Sequence, residues 1–412
     1  MRLCAKICET PYPKKVNFVK NIRLLFLFAL SISTSYAQTK SKKGHEITFT
    51  KQVLTNDFIA EGAAVADVNK DGQKDVMAGA YWFEAPNWTP HELAEPKVFK
   101  KMEGYSDSFL DFAMDVNQDG WVDLIRIDWP GKAATWHENP KNKPGHWKMH
   151  PIHESLGNES PMLVDIDGDG RLDIIGNDPT AKQVIWLSPP TKKGDTKWTK
   201  YVISNDPELG TERYTHGIGY GDINGDGKKD VLFMNGWWEG SDDPKKENWK
   251  FHPAKLSQKC AQMYVLDLNG DGLNDIISSA AHDYGLWWQE QGRDADGNET
   301  WTEHEISRVF SQMHNLTLVD LDGDGDLDLV TGKRHLAHQG KDPGGLDPPL
   351  LYWFEYKPGR PSGGKVPTWI PHEIDNDSGS GLHVTVEDMN KDGLLDIVAG
   401  NKRGIHVFLQ KK

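Results

Sequence analysis

Short acidic segments recur along the sequence with a spacing that suits a divalent cation. Each follows the pattern Asp-x-(Asn/Asp)-x-Asp-Gly-x-x-Asp, in which positions 1, 3, 5 and 9 offer side-chain oxygens and the glycine permits a sharp turn. Hard cations such as Ca²⁺ prefer oxygen ligands of this kind, so the pattern predicts structural calcium sites, up to seven in number. The predicted ligands are Asp67, Asn69, Asp71, Asp75, Asp115, Asn117, Asp119, Asp123, Asp165, Asp167, Asp169, Asp173, Asp222, Asn224, Asp226, Asp230, Asp267, Asn269, Asp271, Asp275, Asp320, Asp322, Asp324, Asp328, Asp388, Asn390, Asp392 and Asp396.

A second set of residues has types that could transfer protons or bind an anion. His216, His314 and His383 each precede an acidic segment by five or six residues, and His282 follows another segment. We predict these four histidines as catalytic acid–base groups, since imidazole titrates near neutral pH. Cations would hold a carboxylate, and tryptophans expected to be exposed would stack on sugar rings. The predicted substrate-binding residues are Glu61, Glu159, Lys333, Arg334, His335, Lys402, Arg403, Trp129 and Trp237.

The longest insertion between repeats, about 333–350, adds a further possibility. It contains His335-Leu-Ala-His338, and two nearby imidazoles can serve as ligands of a transition metal. A second, catalytic divalent metal ion is therefore a possible cofactor beside the structural calcium.

The elements that would position these residues are β-strands arranged in repeats. The acidic segments start 45 to 68 residues apart, and apolar stretches flank each one as in a hairpin loop. An aromatic third strand such as 81–84 and a fourth strand such as 88–93 follow. The pattern predicts an all-β, seven-bladed β-propeller of four-stranded blades. The sequence finishes on a third-strand pattern at 405–409, so the segment 47–54 would close the ring as its missing outer strand.

This topology separates the two sets of residues. A loop between the first two strands of a blade opens on one face of a propeller. The approach to the first strand and the exit from the second open on the other face. The acidic loops would therefore line one face, while the histidines and the basic residues would converge at the opposite mouth of the central channel.

With seven such loops in register, the chain resembles the VCBS/FG-GAP family of propellers, whose blades also build the head of integrin α chains. The resemblance covers about residues 45–410. Within that group the sequence is similar to the propeller domain of aldos-2-ulose dehydratases. It is also similar to bacterial propeller enzymes that dehydrate or cleave uronic-acid glycans such as ulvan. The resemblance implies a carbohydrate-active carbon–oxygen lyase, although the cupin domains of the aldosulose dehydratases have no counterpart in this sequence.

The first 37 residues have the layout of a secretory signal peptide. Basic residues precede the apolar run 24–30, and Ser35-Tyr36-Ala37 provides a small-residue cleavage site. We expect cleavage near Ala37, an exported protein that is periplasmic or secreted, and one propeller domain over 38–412. No later apolar run is long enough to predict a membrane span. Cleavage would leave Cys260 as the sole cysteine, so disulfides are not expected.

Net charge restricts the class of partner. The sequence has 47 Lys+Arg and 61 Asp+Glu residues, a formal charge of −14, which disfavours nucleic acid as a partner. The predicted ligands include 23 of these acidic residues, so much of the acid excess would be metal ligand. A small anionic sugar at the basic mouth therefore stays compatible with the charge.

These features favour one hypothesis and leave others open. A channel mouth lined by His, Lys, Arg and Tyr suits the abstraction of a proton beside a carboxylate. One group would act as the base, and a second would protonate the departing oxygen. The leading hypothesis is a secreted dehydratase that eliminates water from an anionic uronic-acid oligosaccharide, with a chain-cleaving lyase as a variant. The alternatives are a non-catalytic propeller that binds glycan or protein and a structural module of a surface complex.

Overall fold

In the computed structural model, residues 47–359 and 366–411 are described, and nearly all of their regular structure is β-strand. The segment predicted as a signal peptide lies outside these residues. Within the described ranges, no helix has the length and apolar character needed to cross a membrane. The prediction of a nearly all-β chain is confirmed, with a single 3₁₀ turn at Ala337–Gly340.

The strands form five hydrogen-bonded sheets. The first comprises β2 (Ala64–Ala66), β3 (Asp75–Ala78), β4 (Tyr81–Glu84) and β5 (Thr89–Glu92). The second comprises β6 (Leu110–Met114), β7 (Asp123–Ile127), β8 (Lys132–Glu138), β9 (Lys148–Val164), β10 (Asp173–Asp178), β11 (Gln183–Ser188) and β12 (Thr199–Ser204). The long strand β9 pairs with both β8 and β10, which makes one sheet of two successive repeats.

The third sheet also joins two repeats, through a parallel pairing of its middle strands. It comprises β13 (Ile218–Gly221), β14 (Asp230–Phe233), β15 (Gly236–Glu239), β16 (Lys250–Pro253), β17 (Gln262–Leu266), β18 (Asp275–Ser279), β19 (Tyr284–Arg293) and β20 (Glu299–Ser311), with β13 parallel to β17. The fourth comprises β21 (Thr317–Val319), β22 (Asp328–Gly332), β23 (Leu351–Lys357) and β24 (Thr368–Asp375).

The fifth sheet brings together the two ends of the described chain. It comprises β25 (Val384–Glu387), β26 (Asp396–Asn401) and β27 (Gly404–Lys411), with β1 (Thr48–Thr55) on its edge. Strand β1 pairs antiparallel with β27, from Thr48 opposite Lys411 to Thr55 opposite Ile405. The segment that the sequence indicated as an extra outer strand therefore occupies that position beside the last strand.

Each acidic segment connects two antiparallel strands, and its ninth residue begins the second of them. In all seven, this buried aspartate accepts the backbone N–H of loop position 2 at 2.8–3.0 Å. In six, its other oxygen accepts an N–H at or just after the end of the third strand, at 2.8–2.9 Å. The ninth residue thus joins loop, second strand and third strand by satisfying buried donors.

Aromatic residues of the third strands pack against the fourth strands. In six repeats a tryptophan stacks on a histidine or tyrosine with ring centroids 4.0–4.3 Å apart. In five of these the histidine also contacts a third-strand glutamate at 2.7–3.0 Å. The stack covers the faces of the two rings, and in these five repeats the edge of the histidine ring carries the Nε2 atom that contacts the glutamate.

The hydrophobic core is divided among clusters that lie between successive repeats. Ile125 of β7 packs in one cluster with Ile174 of β10. Val76 of β3 packs in another with Val398 of β26, so the first repeat contacts the last. The inner strands surround a cavity of about 340 Å³ whose lining includes Phe112 and Tyr264. This arrangement brings residues that are far apart in sequence to one place.

Candidate functional site

A buried arginine connects residues from three distant parts of the chain. Arg334 follows β22, and its guanidinium donates to Glu61 at 2.5 and 2.9 Å and to Glu159 at 3.1 Å. Only 3% of the arginine side chain is exposed, with 1% of Glu61 and 7% of Glu159. Its charge is therefore neutralised by the protein's own carboxylates. No pair of guanidinium N–H groups remains free to bind a substrate carboxylate.

Three histidines lie next to this ion pair. His216 precedes β13, His282 lies between β18 and β19, and His314 precedes β21, yet their ligand nitrogens are all within 4.8 Å of one another. Nε2 of His216 is 2.8 Å from Nε2 of His282. Glu159 lies 3.6 Å from Nε2 of His216 and 4.0 Å from Nε2 of His314. Three of the four histidines predicted from the sequence thus meet in one cluster.

The insertion between β22 and β23 covers one side of this cluster. It places the ring of His338 on that of His282, with centroids 4.7 Å apart. Asp342 contacts Nδ1 of His338 at 2.9 Å and Nδ1 of His282 at 3.2 Å. His338 has a positive φ of 46° between Leu336 and Gln339, which are also left-handed. Such strained backbone at three non-glycine residues is held in place by surrounding contacts and is typical of functional sites.

Burial sets the charge of these groups. It lowers the pKa of His282 to about 4, with a further contribution from His216, and it lowers the pKa of His216 as well. Burial also lowers the pKa of His314 well below its ordinary value. Burial raises the pKa of Glu159, but the positive charges beside it, that of His216 when protonated and that of Arg334, more than offset this effect and leave the pKa below its ordinary value. The cluster therefore combines an ionised carboxylate with uncharged imidazoles.

Tyr105 lies on the other side of Arg334. Its ring is 4.8 Å from the guanidinium carbon, and its hydroxyl accepts the backbone N–H of His338 at 3.1 Å. Burial raises the pKa of Tyr105, so the phenol stays protonated at neutral pH and can donate a proton. Neither Tyr105 nor Asp342 was predicted from the sequence, because both lie in irregular segments without a repeated position.

The remaining cations are close by but are engaged in internal contacts. Lys333 donates to Ser311 and Gln312 at 3.1 Å and to the Gly344 carbonyl, and burial lowers its pKa to about 8. Lys402 donates to the carbonyl of Leu336 at 3.1 Å, and burial lowers its pKa to about 8 as well.

His335 is half-buried and does not join the histidine cluster. Burial and the nearby Arg403 and Lys333 lower its pKa to about 4. Arg403 itself pairs with Asp377 at the surface. Lys333 and Lys402 thus support the insertion from within, through the carbonyls of Gly344 and Leu336.

Three further predicted residues lie outside the histidine cluster. His383 contacts the carbonyl of Asp111 at 3.1 Å and the ring of Phe112, at the central cavity. The expectation that Trp237 is exposed is wrong, since it is 3% exposed and stacks on His252 of the fourth strand. Trp129 is half-buried against the core, with its ring centroid 6.3 Å from that of Tyr105.

The acidic loops offer oxygen atoms arranged for a cation. Carboxylate oxygens of Asp165, Asp167 and Asp173 lie within 4.8 Å of one another, and those of Asp320, Asp322 and Asp328 do the same. In the third loop, Oδ1 of Asp173 is buried and has no hydrogen-bond partner in the described residues. An orphaned carboxylate oxygen among further carboxylates fits a hard divalent cation, so the residues present suit calcium.

Comparison with protein families identifies the repeats in two segments of the chain. Residues 115–176 and 267–331 match the FG-GAP-like repeat. The chain carries FG-GAP-like repeats. Each matched range begins at the first aspartate of an acidic segment and runs into the second hairpin strand of the following repeat. No curated protein sequence matches the chain.

Solved structures with similar folds include binding proteins and an enzyme. An Agrocybe aegerita lectin that recognises non-reducing terminal N-acetylglucosamine is 16% identical, with a TM-score of 0.47 over 85% of each chain. The rhamnogalacturonan lyase YesW is 12% identical, with a TM-score of 0.42 over 88% of this chain and 72% of its own. The extracellular domain of a putative two-component system from B. thetaiotaomicron is 12% identical, with a TM-score of 0.46 over 88% and 41%. These identities are too low to indicate a shared activity.

Proposed function

We propose that residues 38–412 form a closed seven-bladed β-propeller that is exported after cleavage near Ala37. The antiparallel pairing of β1 with β27 and the packing of Val76 against Val398 support a ring without a free edge between its first and last blades. In this arrangement the sheets that join two repeats each contribute two neighbouring blades. The acidic loops would each hold one structural Ca²⁺ ion and make the hairpins rigid.

For the activity, we propose a carbon–oxygen lyase that eliminates water, or a sugar leaving group, from an anionic uronic-acid oligosaccharide. The observation that carries this proposal is the pairing of the His338 imidazole with the Asp342 carboxylate at 2.9 Å, beside the Tyr105 hydroxyl. Asp342 orients Nδ1, so Nε2 of His338 can accept the C5 proton. The His338 side chain is 45% exposed, whereas those of His216 and His314 are 3% and 1% exposed.

The second proton transfer falls to Tyr105. Elimination requires an acid that protonates the departing oxygen, and a phenol whose pKa is raised by burial is a suitable donor. In this proposal His216, His282 and His314, which the sequence predicted as acid–base groups, would form the floor of the site, because the ring of His282 stacks on His338 and the other two side chains are only 3% and 1% exposed. A positive group must also neutralise the substrate carboxylate, and Arg334 is already paired with Glu61 and Glu159.

The test is an assay on uronic-acid oligosaccharides, including those prepared from ulvan. We expect new absorbance in the unsaturated-uronate band, with the mass loss of one water for a dehydratase or shorter products for a chain-cleaving lyase. His338→Ala should lower the rate on the order of 10²–10⁴-fold, as for the loss of a general base. His383→Ala, which removes an inner histidine outside the cluster, is the matched control and should stay active.

Two results would contradict the proposal. Retention of the oligosaccharides without any unsaturated product would favour a non-catalytic glycan-binding propeller. Equal rates for His338→Ala and the unaltered chain would remove the imidazole from the reaction.

A further inference from the structure

We propose that His216, His282 and His314 bind one divalent transition-metal ion, with zinc as the representative. Their ligand nitrogens lie within 4.8 Å of one another. Nitrogen atoms bound tetrahedrally to zinc at about 2.0–2.1 Å are separated by roughly 3.3 Å, so small side-chain movements would complete the geometry. The site is formed by three separate repeats and differs from the His335 and His338 pair that the sequence suggested.

The outer nitrogen of each ring is already engaged. Nδ1 of His216 lies 2.8 Å from the carbonyl of Tyr214, and Nδ1 of His314 lies 3.3 Å from the carbonyl of Gln312. Nδ1 of His282 lies 3.2 Å from the carboxylate of Asp342. An acceptor at Nδ1 fixes the proton there and leaves the lone pair on Nε2, as metal-binding histidines require.

The inner nitrogens lack suitable partners without a cation. Nε2 of His216 and Nε2 of His282 face each other at 2.8 Å, and with both outer nitrogens protonated this contact would bring two lone pairs together. Nε2 of His314 is buried and has no hydrogen-bond partner within the described part of the chain. An unsatisfied buried acceptor is costly, and a metal ion would satisfy all three nitrogens at once.

The chemistry of the ligand set selects the class of ion. Imidazole nitrogen suits zinc and related first-row metals, whereas calcium and magnesium prefer the oxygen ligands of the acidic loops. Glu159, 3.6 Å from Nε2 of His216, adds a negative charge that complements a divalent cation. The His282 side chain is 19% exposed, so a fourth coordination position on that side could open towards a ligand.

The functional role of the ion rests on the proposed lyase activity, whereas its binding does not. A cation at this position would supply the positive charge that a uronic-acid carboxylate needs and that Arg334 cannot offer. His338 would then keep its own role, because its Nδ1 is bound to Asp342 and it is not one of the three ligands.

The experiment measures metal binding to the full chain directly. The protein is stripped with a chelator, returned to excess calcium so that the acidic loops are filled, and titrated with Zn²⁺ or Co²⁺. We expect one tightly bound ion per chain by elemental analysis and visible d–d absorption from cobalt in a nitrogen-rich site. The absence of both signals would overturn the proposal without any variant.

Variants then locate the ion. His314→Ala should abolish the cobalt absorption and the tightly bound zinc, while His383→Ala should retain both. Asp342→Ala, which truncates a partly exposed loop residue, should weaken zinc binding on the order of 10–100-fold through loss of the acceptor on His282. Zinc stoichiometry in His314→Ala equal to that of the unaltered chain would place the metal elsewhere and refute the site.

The two proposals can fail independently. Zinc bound at the three histidines with no unsaturated sugar product would refute the lyase and keep the metal site. Unsaturated product from a chain that binds no transition metal would refute the metal site and keep the lyase.

Discussion

At the scale of single residues, Arg334 shows what residue type alone can and cannot predict. Its place in a basic cluster after a strand led to its prediction as a ligand-binding residue, and the structure places it beside the histidine cluster. The sequence could not show that Glu61 and Glu159 approach it, because they precede it by 273 and 175 residues. Arg334, which was predicted to bind a ligand, instead forms buried ion pairs with two distant glutamates of the same chain.

The predicted histidines likewise differ in where the structure places them. His216, His282 and His314 were predicted together from their positions in the repeat, and they meet. His383 precedes its acidic segment by five residues, whereas His216 and His314 precede theirs by six, and it contacts Asp111 and Phe112 instead of the cluster. Asp342 was not predicted, because only the folded insertion brings it to His282.

Removal of the buried guanidinium should strongly destabilise the protein. Arg334→Met leaves the Glu61 and Glu159 carboxylates buried without a cation, and we expect a loss of about 3–5 kcal/mol in the free energy of unfolding by urea. Arg403→Met is the matched control, since its partner Asp377 is 65% exposed and the loss should stay below about 1 kcal/mol. Equal losses in the two variants would show that burial of the pair is unimportant.

Asp111 provides a test of pH dependence. Burial raises its pKa to about 7 from 3.8, against the hydrogen bonds that Ser108 Oγ donates at 2.6 and 2.8 Å. Between these values the folded state binds a proton that the unfolded state has lost. This residue's contribution to stability is therefore largest below pH 4 and falls as the pH rises to 7.

Asp111→Asn stays neutral and should accordingly be more stable than the unaltered chain at pH 8, by up to about 4 kcal/mol. The difference should vanish near pH 4. Urea unfolding at several pH values measures it, and a difference that does not change with pH would contradict the assigned pKa.

At the scale of elements, the hairpin loops combine a proposed cation site with structural hydrogen bonds, and the repeat pattern does not separate the two. The sequence predicted positions 1, 3, 5 and 9 as equivalent cation ligands. The ninth aspartate also accepts two backbone N–H groups in most repeats, for example those of Leu268 and Gln291 on Asp275. The repeat pattern shows that the ninth aspartate recurs. It does not show which backbone N–H groups its two oxygens accept, because one of them comes from the third strand.

The stacks between third and fourth strands illustrate the same limit. The recurring Trp and His positions identified the strands, yet the expectation that Trp237 is exposed failed. Its neighbour across the pair is His252, whose ring covers it at a centroid distance of 4.0 Å and an interplanar angle of 5°. Sequence alone gives the strand but not the register that aligns the two rings.

Variants of the fifth acidic loop can separate the two roles. Asp275→Asn should cost about 1–3 kcal/mol with or without calcium, because one buried N–H loses its acceptor. Asp271→Asn retains an oxygen for the N–H of Leu273, so it should lower the melting temperature only when calcium is present. Thermal unfolding with calcium and with EDTA makes the comparison. A melting temperature of the unaltered chain that is indifferent to EDTA would contradict structural calcium.

At the scale of the whole molecule, the pairing of β1 with β27 connects the beginning and end of the described chain. The repeat pattern alone predicted this strand, because the last unit lacked a fourth strand. The sequence could not predict the way successive units share sheets, since that depends on strands such as β9, which runs without a break from one repeat into the next.

Deletion of residues 48–55 tests this closure. The variant exposes the backbone donors and acceptors of β27, and we expect a lower melting temperature and self-association through the free edge. Lys51→Ala is the control, because it removes only the ion pair with Asp375 and should change stability by less than about 1 kcal/mol. Size-exclusion chromatography and thermal unfolding give the readouts. A monomeric deletion variant with unchanged melting temperature would show that β1 is dispensable.

The position of β1 also has a consequence for the order of folding. Strand β1 is the first strand of the described chain and its partner β27 is the last, so the pairing spans nearly all of the described residues. Contacts of such high sequence separation slow folding, because loop-closure entropy must be overcome before they contribute. We therefore expect the β1–β27 pairing to form late in folding, after the hairpins of the intervening repeats.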